Sequence, residues 1–247
     1  MLSSCQTQRP VLIPIRDETP RGRFPLVTAV LIIINAVVFL FQRSLAPNAQ
    51  LILINAAGAI PYEIVNRVDI GPANLLPWPG SIVTSMFLHG GWLHLIGNMW
   101  FLWLFGDNVE EALGRIRFAL FYLLVGTIGA LAQSFTIPAS TAPMIGASGA
   151  VAGVLGAYVL LYPRAKVLTF AVIPLFWNFL HVPAWLFLGL WFIGQFFIGA
   201  GSGVAWMAHV GGFLGGLGIV RLLSPPAPQP APARPVEVEY IPPGQRG

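Results

Sequence analysis

The sequence predicts an all-α polytopic membrane protein, a bundle of six transmembrane helices. Three observations carry that reading. The chain is 56% hydrophobic and 9% charged, whereas ordinary globular chains carry about a quarter charged residues. Its mean hydropathy is +0.75. Its apolar residues also gather into runs that approach the ~20 residues needed to cross about 30 Å of hydrocarbon. These runs are Phe24–Leu45, Trp92–Asp107 with a semi-polar lead-in from Ser81, Ile116–Thr136, Ser148–Tyr162, Pro183–Gly199 and Trp206–Leu223. The chain thus divides into a cytoplasmic N-terminal segment (1–23), a membrane domain (24–223) and a tail (224–247). The first run follows a polar segment and no small-x-small cleavage site succeeds it cleanly, so it reads as a retained span and not a signal peptide.

Positive charge sets the expected orientation. With the N-terminus inside, only Arg43 and Arg67 of the 13 Lys and Arg residues fall on the external side. Both termini are then cytoplasmic. The tail, rich in proline and alanine, reads as a disordered cytoplasmic segment. Two long connections stand out. Residues 46–88 are too apolar for a solvated linker and are expected to lie partly in the membrane interface. Residues 166–182 are expected along the membrane surface. The single cysteine, Cys5, excludes a disulfide framework and a thiolate metal site.

Polar groups inside spans are expensive, and each is a functional candidate by default. His94 and Asn98 lie in the second span, Ser148 opens the fourth, and His209 lies near the start of the sixth. His89 and His181 precede spans and are assigned interfacial or loop roles. The second, fourth and sixth spans all run from outside to inside. His94, Ser148 and His209 therefore fall in the first turns of their helices, in one layer near the external face.

Each of these residues has a structural reading beside the chemical one. Gly149, Gly153 and Ala157 form a small-residue stripe suited to helix packing, and taken alone that reading is preferred for the surroundings of Ser148. A serine at a helix N-terminus also has free backbone N–H groups and a positive dipole end around it, and Gly146 and Gly149 let a substrate backbone approach. His209 is followed by Gly212 and Gly216, so two glycine-faced helices can bring an imidazole to the serine hydroxyl. A neutral histidine can take the serine proton as the hydroxyl attacks a carbonyl. His94 and Asn98, four apart, share a helix face, and both can donate to a developing oxyanion. A metal or haem site on His94 and His209 lacks a third ligand, and the zinc-protease signature HExxH is absent. Asp107, Glu110 and Glu111 sit at the far end of the second span, so a serine hydrolase here works as a dyad.

At these residues the chain resembles the rhomboid family of intramembrane serine proteases. The likeness rests on His94-x3-Asn98, Gly106-Asp107-Asn108-Val109-Glu110, Gly146-Ala147-Ser148-Gly149 and Ala208-His209-x2-Gly212-x3-Gly216, in that order, and covers about residues 24–223. The resemblance implies Ser148 as nucleophile and His209 as general base. It implies oxyanion stabilisation by His94, Asn98 and the Ser148 backbone N–H, and Gly146 is counted in the same oxyanion-stabilising set. The implied substrates are single-pass transmembrane proteins, unwound between the second and fifth spans and cut near the external face, with the loop Gly199–Val204 capping the site. Glu110 is expected in a structural hydrogen-bond network. Two positions depart from well-known members: Ala152 stands where an aromatic packs on the histidine, and Trp78 is followed by Pro79 instead of arginine. No cofactor, metal or nucleic-acid partner is expected, and the lipid bilayer is the constant partner. A non-catalytic relative that escorts membrane proteins would be expected to have lost the serine or histidine. A transporter would place its polar groups near the midplane. The simple form suggests a bacterial inner membrane.

Overall fold

The computed structural model describes residues 11–19, 22–71, 76–173, 176–197 and 203–223. The tail at 224–247 and most of the loop Gly199–Val204 lie outside these residues. Helices occupy all six apolar runs: α1 (Leu26–Ser44), α5 (Trp92–Leu113), α6 (Arg115–Thr136), α7 (Ser148–Leu161), α8 (Ala184–Gln195) and α9 (Trp206–Leu223). By length and composition α1, α6 and α9 can each cross a membrane, while α7 and α8 are shorter apolar helices. α5 is as long as α6 but carries Asp107, Glu110 and Glu111 in its last turns.

The apolar connection 46–88 is helical, with α2 (Pro47–Ala57), α3 (Pro61–Asn66) and α4 (Trp78–Ser85). All three open with proline at N1 or N2, where a missing N–H costs nothing and φ is preset. α2 leaves Leu51 and Ile52 exposed, as an interfacial helix does. Pro79 falls inside this first turn of α4, and the Trp78 N–H donates to Asp69 at 2.7 Å.

The second long connection is a β-hairpin, which the helical reading did not include. β2 (Lys166–Ile173) pairs antiparallel with β3 (Phe176–Pro183), from Lys166 opposite Pro183 to Ile173 opposite Phe176. β1 (Val11–Asp17), inside the N-terminal segment, adds to the other edge of β2. That segment is therefore docked in part. Asp17 is buried and accepts from Asn108 Nδ2 at 2.7 Å and the Tyr158 hydroxyl at 2.9 Å. The Trp100 indole N–H reaches the Pro14 carbonyl at 2.8 Å.

The core lies where α5, α6, α7 and α9 meet. α7 is buried through nearly its whole length, from Gly149 to Tyr158. It stays central because glycines remove side chains from its contacts with α9. A Cβ on Gly212 would collide with the Gly149 carbonyl, one on Gly216 with the Gly153 carbonyl, and one on Gly156 with the Phe213 carbonyl. Gly129 admits α6 to the same junction, since its Cβ would lie 2.6 Å from the Ala208 carbonyl and 3.3 Å from the Gly149 Cα. At the opposite end Glu110 caps α1. Its carboxylate accepts from the Val27 N–H at 2.9 Å, the Thr28 N–H at 2.8 Å and the Thr28 hydroxyl at 2.9 Å. A negative charge on free helix N–H groups is favourable for both dipole and hydrogen-bond reasons.

This packing separates two glycines two residues apart. Gly216→Ala forces α9 off α7 and is expected to lower stability by about 1–3 kcal/mol, the usual cost of overpacking. Gly218 meets nothing within 4 Å, and Gly218→Ala is expected to leave stability unchanged or slightly raised. Thermal unfolding of the two variants in detergent measures the contrast.

Candidate active site

Ser148 is the first residue of α7, and Ala147 is its N-cap with no side-chain cap. The first N–H groups of α7 have no partner within the helix. The approach to this turn is pinned on both sides. The Gly146 N–H donates to the Ser85 carbonyl at 2.9 Å, and Ala59 and Met144 exchange backbone bonds at 3.0 and 2.8 Å. Gly146 has φ +125, a region that favours glycine. Its missing side chain also makes room: a Cβ there would sit 2.6 Å from Cε1 and 2.7 Å from Nε2 of His94. From the sequence Gly146 is expected to help stabilise an oxyanion, but its N–H is committed to Ser85; what it leaves at the site is space beside His94.

His94 faces that space from the first turn of α5. Its Nδ1 accepts a long bond of 3.4 Å from the Gly90 N–H, so in the neutral ring the proton is on Nε2, the edge turned to Gly146. The segment before α5 is held by Gln42 of α1, whose side-chain amide donates to the His89 carbonyl at 2.8 Å and accepts from the His89 N–H at 3.2 Å. The His89 ring is fully buried and packs edge-on against His94, with centroids 5.1 Å apart. One turn further along α5, Asn98 is 8% exposed, and its Nδ2 has no hydrogen-bond partner among the described residues. Buried donors are rarely left so.

His209 comes from the first turn of α9. The N-terminus of that helix is tied to α6 by the Met207 N–H, which donates to Gln133 Oε1 at 2.9 Å. Two residues of α8 hold the imidazole. Trp191 lies beside it, centroids 6.0 Å apart, and Gln195 Oε1 is 2.7 Å from its Nδ1. Where Ala152 offers no aromatic, Trp191 supplies one from another helix. The structure therefore finds a neighbour for His209 that inspection of ionisable residues passed over. A glutamine buried in an apolar helix is itself a polar group in the bilayer, and that signal is visible in the sequence.

Ser148, His209, His94 and Asn98 all line one cavity of about 1190 Å³, together with Gln133, Trp191 and Gln195. The four predicted residues are thus brought to one place. His181 is not among them; its Nε2 pairs with Glu18 at 2.9 Å on the sheet. The cavity runs down past Val151 to Leu155 and is bounded by Phe101 of α5 and Trp191 of α8. Those two rings approach to 6.5 Å, and among the described residues α5 and α8 otherwise pack little, α8 resting on α9, α7 and the sheet.

Fold and site together define a class: an integral membrane helical protein with a serine and a histidine lining one cavity among its helices. The Rhomboid domain profile matches residues 78–226, more than half of the chain, and the protein belongs to the rhomboid family. Similar proteins include RHOMBOID-like protein 6, mitochondrial, of Arabidopsis thaliana, 32% identical over 149 residues, covering 58% of this chain and 44% of the relative. RHOMBOID-like protein 5 of the same plant is 32% identical over 167 residues, covering 66% and 48%. A putative rhomboid protease, YdcA of Bacillus subtilis (strain 168), is 34% identical over 99 residues, covering 40% and 48%. The chain spans about half the length of these relatives.

His89 gives folding stability a pH dependence that can be measured. Burial first, then the neighbouring His94, pushes its pKa down from 6.5 to about 4. The unfolded chain therefore binds the proton at higher pH than the folded one, and stability falls as pH drops from about 6.5 to 4. Unfolding temperatures between pH 7 and 4 are expected to decline across that window, with a shallower slope in His89→Phe.

Proposed function

We propose that the protein is an intramembrane serine endopeptidase that cleaves single-pass transmembrane proteins with a Ser148–His209 dyad and no cofactor. The observation that carries this reading is the convergence of Ser148, His209 and the unpaired Asn98 amide on one cavity. A buried donor with a structural role is usually paired, and Asn98 Nδ2 has no partner among the described residues. A role as oxyanion donor leaves it free until charge develops on a substrate carbonyl.

In this mechanism Ser148 Oγ attacks the scissile carbonyl while His209 Nε2 takes its proton. The oxyanion is met by Asn98 Nδ2, His94 Nε2–H and the Ser148 backbone N–H, with Gly146 leaving the room they need. His209 returns the proton to the leaving amine. Water activated by the same imidazole then hydrolyses the acyl-enzyme. The substrate helix enters between α5 and α8, where Phe101 and Trp191 are the main contact, and unwinds into the cavity. On a six-span topology with both termini cytoplasmic, an orientation inferred from the positive charges, the cut falls near the external face. Related proteins are named for mitochondria as well as found in a bacterium, and an integral membrane protease fits either setting.

Ser148→Ala and His209→Ala are expected to abolish cleavage of a reconstituted single-pass substrate while unfolding at the wild-type temperature. Asn98→Ala is expected to retain activity reduced by roughly 10²–10³. A serine-directed fluorophosphonate is expected to label the wild type and not Ser148→Ala. Cleavage retained by Ser148→Ala sinks the mechanism. Absence of both labelling and cleavage in the wild type points instead to a non-catalytic escort.

A further inference from the structure

We infer that Gln195 is a positioning residue for His209: it selects the imidazole tautomer that can act as base and so completes a Ser148–His209–Gln195 relay. The inference rests on the dyad proposed above.

The glutamine amide is held in one orientation. Gln195 is in the last turn of α8 and is 5% exposed. Its Nε2 donates to the carbonyl of Trp191, one turn earlier, at 2.9 Å. With the nitrogen engaged there, Oε1 is the atom turned to His209 Nδ1, at 2.7 Å. A carbonyl oxygen only accepts, so Nδ1 must carry the proton. In a neutral imidazole the other nitrogen, Nε2, then holds the free lone pair. That is the atom needed to take the Ser148 proton. The opposite tautomer would present an N–H to the serine and leave Gln195 Oε1 facing a lone pair.

Among the described residues, the hydrogen bond to the His209 ring is the one between Gln195 and Nδ1; His94 and Ser148 share the cavity with no bond to that nitrogen. Trp191 packs on the ring and constrains its plane, but its contact does not distinguish the two nitrogens. Ala152 offers no polar side-chain atom. Gln133 Oε1 is occupied by the Met207 N–H. The carboxylates of α5 lie at its far end, bonded to α1 and Gly22 in the case of Glu110 and Glu111. An amide, unlike a carboxylate, does this without a buried charge, which suits a site inside a bilayer. The same two residues, Trp191 and Gln195, also couple the base to α8, beside which the substrate is proposed to enter.

The test starts on the wild-type protein. With ¹⁵N-labelled histidine, the His209 signals, identified by their loss in His209→Ala, are expected to show Nδ1 protonated and Nε2 unprotonated at neutral pH. Gln195→Leu keeps the volume and removes the acceptor. It is expected to shift that tautomer balance and to lower both the rate of fluorophosphonate labelling and kcat on a transmembrane peptide by about five- to tenfold, the worth of one neutral hydrogen bond. KM should stay within about twofold. Gln195→Glu keeps an acceptor oxygen and is expected to recover most of the rate. A wild-type His209 protonated at Nε2 overturns the inference, whatever the variants do. So does a Gln195→Leu protein with wild-type tautomer and rate. Cleavage that survives Ser148→Ala would instead remove the dyad on which the inference stands, so the two failures are told apart.

Discussion

The contact between α7 and α9 is the constraint on which the rest of the structure depends. Backbone meets backbone there, with Gly212 against the Gly149 carbonyl and Gly216 against the Gly153 carbonyl. Lipid tails are as apolar as leucine, so hydrophobicity gives two membrane helices little reason to choose each other. Close approach does, because it multiplies dispersion contacts and is open only to sequences that omit side chains on both faces. The site follows directly. Ser148 immediately precedes Gly149, and His209 lies one turn before Gly212 and the buried Phe213. The register that seats the glycines therefore also brings the serine and the histidine to one cavity.

The remaining parts adjust what that contact creates. Gly129 brings α6 into the junction and Gln133 anchors the start of α9. Glu110 fastens α1 to α5 at the opposite end, and through Gln42 α1 holds the turn that presents His94. The ties from Gln133, Glu110 and Gln42 each put a polar side chain on an unpaired backbone group, which in a bilayer has no water to turn to. Polar side chains are thus widely spent on backbone, whereas Asn98 Nδ2, at the cavity, is one of the few buried polar atoms with no hydrogen-bond partner among the described residues.

Much of this was legible in the residues. Apolar run length located the six long segments, because a span must match hydrocarbon thickness. The glycine and histidine spacings located Ser148, His94, Asn98 and His209, because helix periodicity converts spacing into shared faces. The β-sheet was not legible. Lys166–Ile173 and Phe176–Pro183 are rich in β-branched and aromatic residues, but in a chain this apolar such runs do not stand out, and β1 lies far earlier in the chain than its partner. The helices within residues 46–88 were missed for a related reason: apolarity announced the interface, while the prolines that begin these helices look like breaks.

By itself, then, the sequence determined that the chain lives in a membrane, where its six long apolar helices fall and which polar residues are candidates for chemistry. Those properties depend on composition and on local period. The tertiary structure decided what surrounds His209. Ala152 showed only that an aromatic was missing from α7. That Trp191 and Gln195 of α8 stand in its place, one packing on the ring and the other bonded to Nδ1, depends on how α8 leans on α9, and such a contact between distant segments has no local signature.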